Sequence, residues 1–153
     1  LQSEDAAGRL LGTLKKLQTK LHQETGRYVP FALKVAPDLD EKEIAGLSRI
    51  FRDGGLDFII ATNTTLEREA VKGHRNANEA GGLSGAPLTK HSTEVIAQFH
   101  AGLGRDVPII GAGGIFSAED ALAKKAAGAS LVQIYTGFVY RGPALVHEII
   151  RAW

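Results

Sequence analysis

From Ser3 to about Glu24, Leu10, Leu14, Leu17 and Leu21 recur at i, i+4, i+7 and i+11 with Lys15, Lys16, Thr19 and Lys20 between them. That spacing predicts a helix with one apolar stripe. After Gly26 and Pro30 the pattern changes to a short apolar run, Phe31 to Ala36, interrupted only by Lys34 and stopped by Pro37, which predicts a buried strand. Asp40 and Glu43 form a capping-box pair ahead of Ile44, Leu47 and Phe51, so a second helix runs to about Asp53 and ends at Gly54-Gly55. Asp57 to Ala61 is the next apolar strand.

A polar segment follows from Thr62 to about His91, long enough to predict a functional or disordered connection. Within it, Gly81-Gly82-Leu83-Ser84-Gly85 has the glycines that permit close backbone approach to a ligand. A helix beginning at Ser92 then carries Val95, Ile96, Phe99 and Leu103 on one side. The strand Val107 to Ile110 leads directly into Gly111-Ala112-Gly113-Gly114. Ser117 and Asp120 cap a helix ending near Gly128, Ser130 to Ile134 forms a fourth strand, and Pro143 opens a last helix that buries Leu145, Val146, Ile149, Ile150 and Trp153.

One helix followed by four strand–helix units implies an α/β chain with a parallel sheet, either open and doubly wound or part of a barrel. A dinucleotide fold puts its glycine fingerprint after the first strand, whereas here the glycines follow the third and a small polar turn follows the fourth. In an eight-stranded barrel the phosphate site lies in the loops after strands seven and eight. The reading is therefore the last four βα units, the C-terminal half, of a (β/α)8 TIM barrel. A complete barrel takes about 250 residues, so residues 1–153 form one part of a domain whose first half is expected upstream of Leu1.

Composition sharpens this picture in two places. The chain has no Cys, which excludes a disulfide framework, a thiolate nucleophile and a Cys-ligated metal, and it has no Met, which points to a segment of a longer protein. With 18 Lys plus Arg against 17 Asp plus Glu and no basic cluster, nucleic acid is not the expected partner. No apolar stretch approaches the roughly 18 residues of a membrane span. The five histidines show no ligand spacing, so no metal site is expected. Asp38, Asp40, Glu41 and Glu43 are accounted for as negative charge at a helix start.

Active sites of such barrels are built at the C-terminal strand ends, which here carry Lys34, Thr62-Asn63-Thr64, Gly113-Gly114 and Tyr135-Thr136. The glycine turn offers backbone N–H groups, and the Thr136 hydroxyl a further donor, which together suit a phosphate dianion. Lys34 either stabilises a developing anion or extends its ammonium to solvent from an edge strand. Asn63 either reads an amide or imide edge, with Thr64 assisting, or closes an Asx turn. No strong general base is present.

Five ordered stretches, 34–38, 61–65, 81–88, 108–115 and 128–137, resemble in order and spacing the C-terminal half of the class 2, quinone-dependent dihydroorotate dehydrogenases. Gly137 to Pro143 is more similar to the bacterial members than to the mitochondrial ones, and Ala112 stands where members often carry a larger apolar residue. The resemblance implies a barrel binding flavin mononucleotide (FMN). Dihydroorotate loses a proton from C5 and a hydride from C6 to flavin N5, giving orotate for pyrimidine (UMP) synthesis, and a quinone reoxidises the flavin. It implies that Lys34 and Thr62 contact the flavin, that Gly85, Gly114, Tyr135 and Thr136 hold its phosphate and ribityl end, and that Asn63 and Thr64 bind the substrate.

The resemblance also implies that the catalytic serine base lies upstream of Leu1, together with helices that form the quinone tunnel and rest peripherally on the cytoplasmic face of the inner membrane. No catalytic residue is then expected in these 153 residues, which should not work alone. Two other readings remain open at this stage: another FMN- or sugar-phosphate-binding barrel enzyme, and an inactive half-barrel.

Overall fold

A computed structural model describes residues 4–153. Helix α1 (Glu4–Thr25) precedes four units in which a short strand leads into helix. These are β1 (Ala32–Val35) with α2 (Glu41–Asp53), β2 (Phe58–Ala61) with α3 (Thr89–Leu103), β3 (Ile109–Ala112) with α4 (Ala118–Ala126), and β4 (Leu131–Gln133) with α5 (Thr136–Arg141) and α6 (Pro143–Ala152). All strand pairs are parallel and the order is β1-β2-β3-β4. A doubly wound sheet reverses its order at a switch point. This one advances by one neighbour at each step, as a barrel wall does, so strand order decides between the two architectures that periodicity left open.

The two faces of the sheet differ. Leu33, Val35, Ile59, Ala61 and Ile109 are buried beneath the helices. Lys34, Ile60, Ile110 and Leu131, paired in one register row across the four strands, occupy the alternate positions. In a closed barrel that row is packed interior; in this chain its outer members Lys34 and Leu131 are exposed while Ile60 and Ile110 between them are half-buried.

The helical side holds one core, in which Phe51 of α2 and Phe99 of α3 stack with ring centroids 6.5 Å apart. A smaller cluster of Ile115, Ala121, Leu145 and Ile149 seats α6 against α4, with Val132, Ile134 and Trp153 at its margin. Arg141 ties this end together by donating to the Phe116 carbonyl at 2.6 Å and pairing with Glu148 at 2.9 Å. The other Glu148 oxygen accepts from the Ala118 N–H, and that bond, with Arg141, holds its carboxyl below the usual range.

Several boundaries and faces depart from the periodic reading. In α1 the leucine stripe is not the buried face: Ala7, Leu11 and Gln18 are buried, Leu14 is partly so, and Leu10, Leu17 and Leu21 are 39%, 51% and 56% exposed. Ala7 and Leu11 pack into the main core, and a polar anchor lies on the same face. Asp57 needs donors where it is enclosed, and Gln18 Nε2 supplies one at 2.8 Å while also reaching the Val29 carbonyl at 2.9 Å. Burial works to raise the Asp57 pKa, but hydrogen bonds from Tyr28, the Phe31 N–H and Gln18, with the Lys15 charge, outweigh it and leave the pKa lowered.

Helix α2 has the predicted reciprocal Asp40–Glu43 cap, and Ser117 caps α4 through the Asp120 N–H. Helix α3 begins at Thr89, ahead of Ser92, because the 3-10 turn Ala86–Leu88 feeds directly into it. The Ser92 hydroxyl bonds instead to carbonyls of Thr89 and Gly113. On α6 only Leu145 and Ile149 are buried, one turn apart, while Ile150 is 68% exposed and Val146 half-buried. The short helix α5 carries no periodic signal of its own.

Candidate functional site

The C-terminal ends of all four strands open onto one cavity of about 290 Å³. Its position follows from the βα connections, since each strand leaves the sheet at this end and its first loop residues form the rim. Lys34 on β1, Thr62, Asn63 and Thr64 after β2, Gly85 in the long loop, Gly114 after β3, and Tyr135 and Thr136 after β4 all line it. Every residue singled out from the sequence as a candidate contact is thus brought to the same cavity.

The floor is built from backbone. The Thr62 N–H donates to the Ala112 carbonyl at 3.0 Å and the Asn63 N–H to the Val35 carbonyl at 2.7 Å, which ties the end of β2 to both neighbouring strands. The Ala61–Thr62 peptide is cis. Thr62 is buried and donates its hydroxyl to the Asn63 carbonyl. The Asn63 side chain is exposed and has no hydrogen-bond partner among the described residues, so it closes no Asx turn and its amide is free for a ligand.

Lys34 does not simply extend to solvent. Its ammonium donates to Gln133 Oε1 at 3.1 Å across the open face of the sheet, which holds the cation at the cavity wall. Gln133 is a lining residue that the reading of the sequence missed. Its signal was a polar side chain inside the apolar run Leu131-Val132-Gln133-Ile134, the same kind of signal that marked Lys34. Ser84 was missed as well, although it sits inside a glycine-rich motif; its hydroxyl accepts from Thr136 Oγ1 at 3.1 Å and joins the long loop to the start of α5.

The glycine turn forms the opposite end. Gly113 and Gly114 have φ of 109° and 68°, conformations that L side chains rarely adopt. A Cβ at Gly114 would lie 2.2 Å from Thr89 Oγ1 and 2.4 Å from the Thr89 nitrogen. The carbonyls of this turn are occupied, Gly114 O by Thr89 Oγ1 at 2.6 Å and Gly113 O by Ser92 Oγ at 3.0 Å. Its N–H groups are not: neither donates a hydrogen bond to any other described residue. Two unpaired N–H groups on a cavity wall, beside the Thr136 hydroxyl, suit a phosphate's acceptor oxygens.

The long loop over residues 62–88 is a folded flap. Thr65 and Leu83 exchange backbone hydrogen bonds of 3.1 and 2.7 Å in an antiparallel bridge, and a Cβ at Gly82 would fall 1.8 Å from Thr64 Oγ1. Asp38 corrects an expectation here. Its carboxylate is more than negative charge at the start of α2, because it accepts from the Thr65 hydroxyl and, at 2.7 Å, from the Leu66 N–H, which pins the flap next to Asn63 and Thr64.

Among the described residues no group of three or more His, Asp or Glu side chains is placed to hold a metal ion, and no helix is long and apolar enough to cross a membrane.

A wall of parallel βα units gathers a lysine, an unpaired amide and a glycine turn with free N–H groups at its strand ends, and this defines half of a barrel with a polar cavity at its C-terminal face. The family model for dihydroorotate dehydrogenase matches residues 2–152, and the chain belongs to that family. It is 58% identical over 152 residues to a protein of Akkermansia muciniphila named dihydroorotate dehydrogenase (quinone), and 56% identical to one of the same name from Chromobacterium violaceum. Each match covers 99% of this chain and 44% of the relative, so the chain spans less than half the length of these relatives. In structure it is similar to the dihydroorotate dehydrogenase of Eimeria tenella solved in complex with ferulenol, with a TM-score of 0.91, 30% identity, and coverage of 99% of this chain and 44% of the other.

Proposed function

We propose that these residues form the cofactor-phosphate and pyrimidine-binding half of an FMN-dependent dihydroorotate dehydrogenase that passes electrons to a quinone in UMP biosynthesis. The observation that carries this reading is the meeting of Lys34, Asn63, Thr64, Gly114 and Thr136, from four separate strand ends, in one cavity of a chain from this family.

The residues present fit the cofactor. The free N–H groups of Gly113 and Gly114 are assigned to its phosphate, joined by the Thr136 hydroxyl when its proton turns from Ser84 to the ligand, with Gly85 and Tyr135 along the ribityl chain and Thr62 against the ring. When bound, the flavin supplies the acceptor for the hydride that dihydroorotate gives up. The Lys34 ammonium, held by Gln133, adds positive charge where negative charge develops on reduction, an interaction stronger in the transition state than before it.

Asn63 presents both a donor and an acceptor to the amide and imide edges of the pyrimidine, and Thr64 adds a hydroxyl. The flap pinned by Asp38 keeps both residues at the cavity. The serine base, the remaining substrate contacts and the helices that receive the quinone are assigned to sequence outside residues 1–153. The same assignment places the whole protein peripherally on the cytoplasmic face of a bacterial inner membrane.

An anaerobic visible spectrum of the full gene product tests this. A yellow flavin band that bleaches on adding dihydroorotate is the expected result. A colourless preparation that takes up no FMN, or a flavin band that dihydroorotate leaves unchanged, refutes it.

A further inference from the structure

Lys124 is the one lysine of the described residues that is fully buried, with no exposed surface. It lies on α4, outside the cavity, and nothing in the reaction proposed above uses it. Its ammonium donates to the Thr89 carbonyl at 2.7 Å, to Ser92 Oγ at 2.7 Å and to Thr93 Oγ1 at 2.5 Å. An ammonium has three protons, and all three are spent on neutral oxygens of α3. No carboxylate lies within ion-pair distance of it among the described residues. Asp120, one turn earlier on α4, favours the charge from farther off, and its own Oδ2 accepts from the Phe116 N–H.

Such a charge is costly to bury. Burial draws the Lys124 pKa down to about 8, with Asp120 opposing the shift, so the group remains mostly charged at neutral pH. The Ser92 oxygen, accepting from Lys124, sends its single proton onward, and of the two carbonyls in reach Gly113 at 3.0 Å is nearer than Thr89 at 3.3 Å, whose oxygen already accepts from Lys124 and Thr93. The Thr89 hydroxyl holds the Gly114 carbonyl from the residue whose own carbonyl Lys124 fixes. Both carbonyls of the turn are therefore aimed away from the cavity by groups that the ammonium organises. A peptide whose carbonyl side is fixed directs its N–H side too, so the Gly113 carbonyl sets the Gly114 N–H and the Gly114 carbonyl sets that of Ile115, which also lines the cavity.

We propose that Lys124 is a positioning residue for the phosphate end of the cavity, setting the orientation of the Gly114 N–H through Ser92 and of the Ile115 N–H through Thr89, and supplying a buried positive charge that the bound phosphate offsets. This rests on the FMN reading and adds to it a residue two hydrogen bonds away from the glycine turn. The free protein holds the cation without an anion. An occupant bearing a dianionic phosphate benefits from it, while the same flavin without its phosphate does not.

The test is the affinity of the apoprotein of the full gene product for FMN and for riboflavin, read by quenching of flavin fluorescence. The wild type should prefer FMN. Lys124→Met, matched in length and uncharged, should lose at least tenfold in FMN affinity while riboflavin affinity stays within about twofold. Ser92→Ala, which keeps the charge and removes the link to Gly113, should show a smaller loss confined to FMN, and it carries the comparison should Lys124→Met not fold. Parallel losses for both flavins would reduce Lys124 to a packing role and overturn the proposal, as would an unchanged FMN affinity. A wild type that binds neither flavin overturns the cofactor reading itself, and the role of Lys124 with it.

Discussion

Gly114 and Gly26 share a φ of 68° but differ in what surrounds them, which makes them a matched pair for measuring how closely the glycine turn approaches α3. Replacing either by Ala imposes the left-handed conformation on an L residue, at roughly 1–2 kcal/mol. At Gly26, which ends α1 by donating to the His22 carbonyl, an added methyl meets no heavy atom within 4 Å, so that cost is the whole effect. At Gly114 the methyl would lie 2.2 Å from Thr89 Oγ1 and within 2.5 Å of the Thr89 backbone. The first atom can rotate away only by giving up its bond to Gly114 O, and the second cannot move without shifting the start of α3. Overpacking of this kind adds about 1–3 kcal/mol, and the lost hydrogen bond about 1. Gly114→Ala should therefore cost roughly 3–6 kcal/mol and Gly26→Ala about 1–2. Urea unfolding of the full gene product with an unchanged slope reads both values, and flavin content after purification should fall for Gly114→Ala alone. Equal destabilisation of the two variants would show that the turn can yield without strain and refute the close-approach argument.

Three further outcomes follow from named contacts. Lys34→Ala should slow flavin reduction by dihydroorotate in stopped flow while changing orotate affinity much less; an unaltered reduction rate removes Lys34 from the role given to it. Asn63→Ala should raise the substrate KM by roughly 5- to 150-fold, the equivalent of about 1–3 kcal/mol for an unsatisfied polar group, and steady-state kinetics unchanged from wild type would take Asn63 out of the site. Lys124 has its pKa lowered on folding from 10.5 to about 8. Below pH 8 it is charged in both states and the burial penalty is complete; between 8 and 10.5 the folded protein releases a proton that the unfolded chain keeps, so its contribution to stability rises with pH. Lys124→Met should accordingly be at least as stable as wild type at pH 7, by up to roughly 3 kcal/mol, with the gap closing towards pH 10. Urea midpoints across that range check the sign, and a variant clearly less stable at pH 7 would contradict it.

By itself the sequence determined the alternation of elements, because Asp40 with Glu43 and Ser117 with Asp120 act within four residues of themselves. It also determined the candidate contacts, since Lys34 in an apolar strand and glycines directly after another are local anomalies that any parallel βα wall carries to one end. What depended on partners distant in the chain was not legible. The face of α1 that turns inward joins Ala7 and Leu11 to the main core and Gln18 to Asp57, 39 residues further on, partners that the leucine stripe does not name. The meaning of Asp38 waits on Thr65 and Leu66, and the hold on Lys34 comes from Gln133, 99 residues away. Lys124 reads in sequence as an ordinary basic residue near a helix end, where charge favours the dipole. Only the packing of α4 against α3 makes it a buried cation behind the glycine turn, because burial and hydrogen-bond partners belong to the assembled structure and not to any one segment.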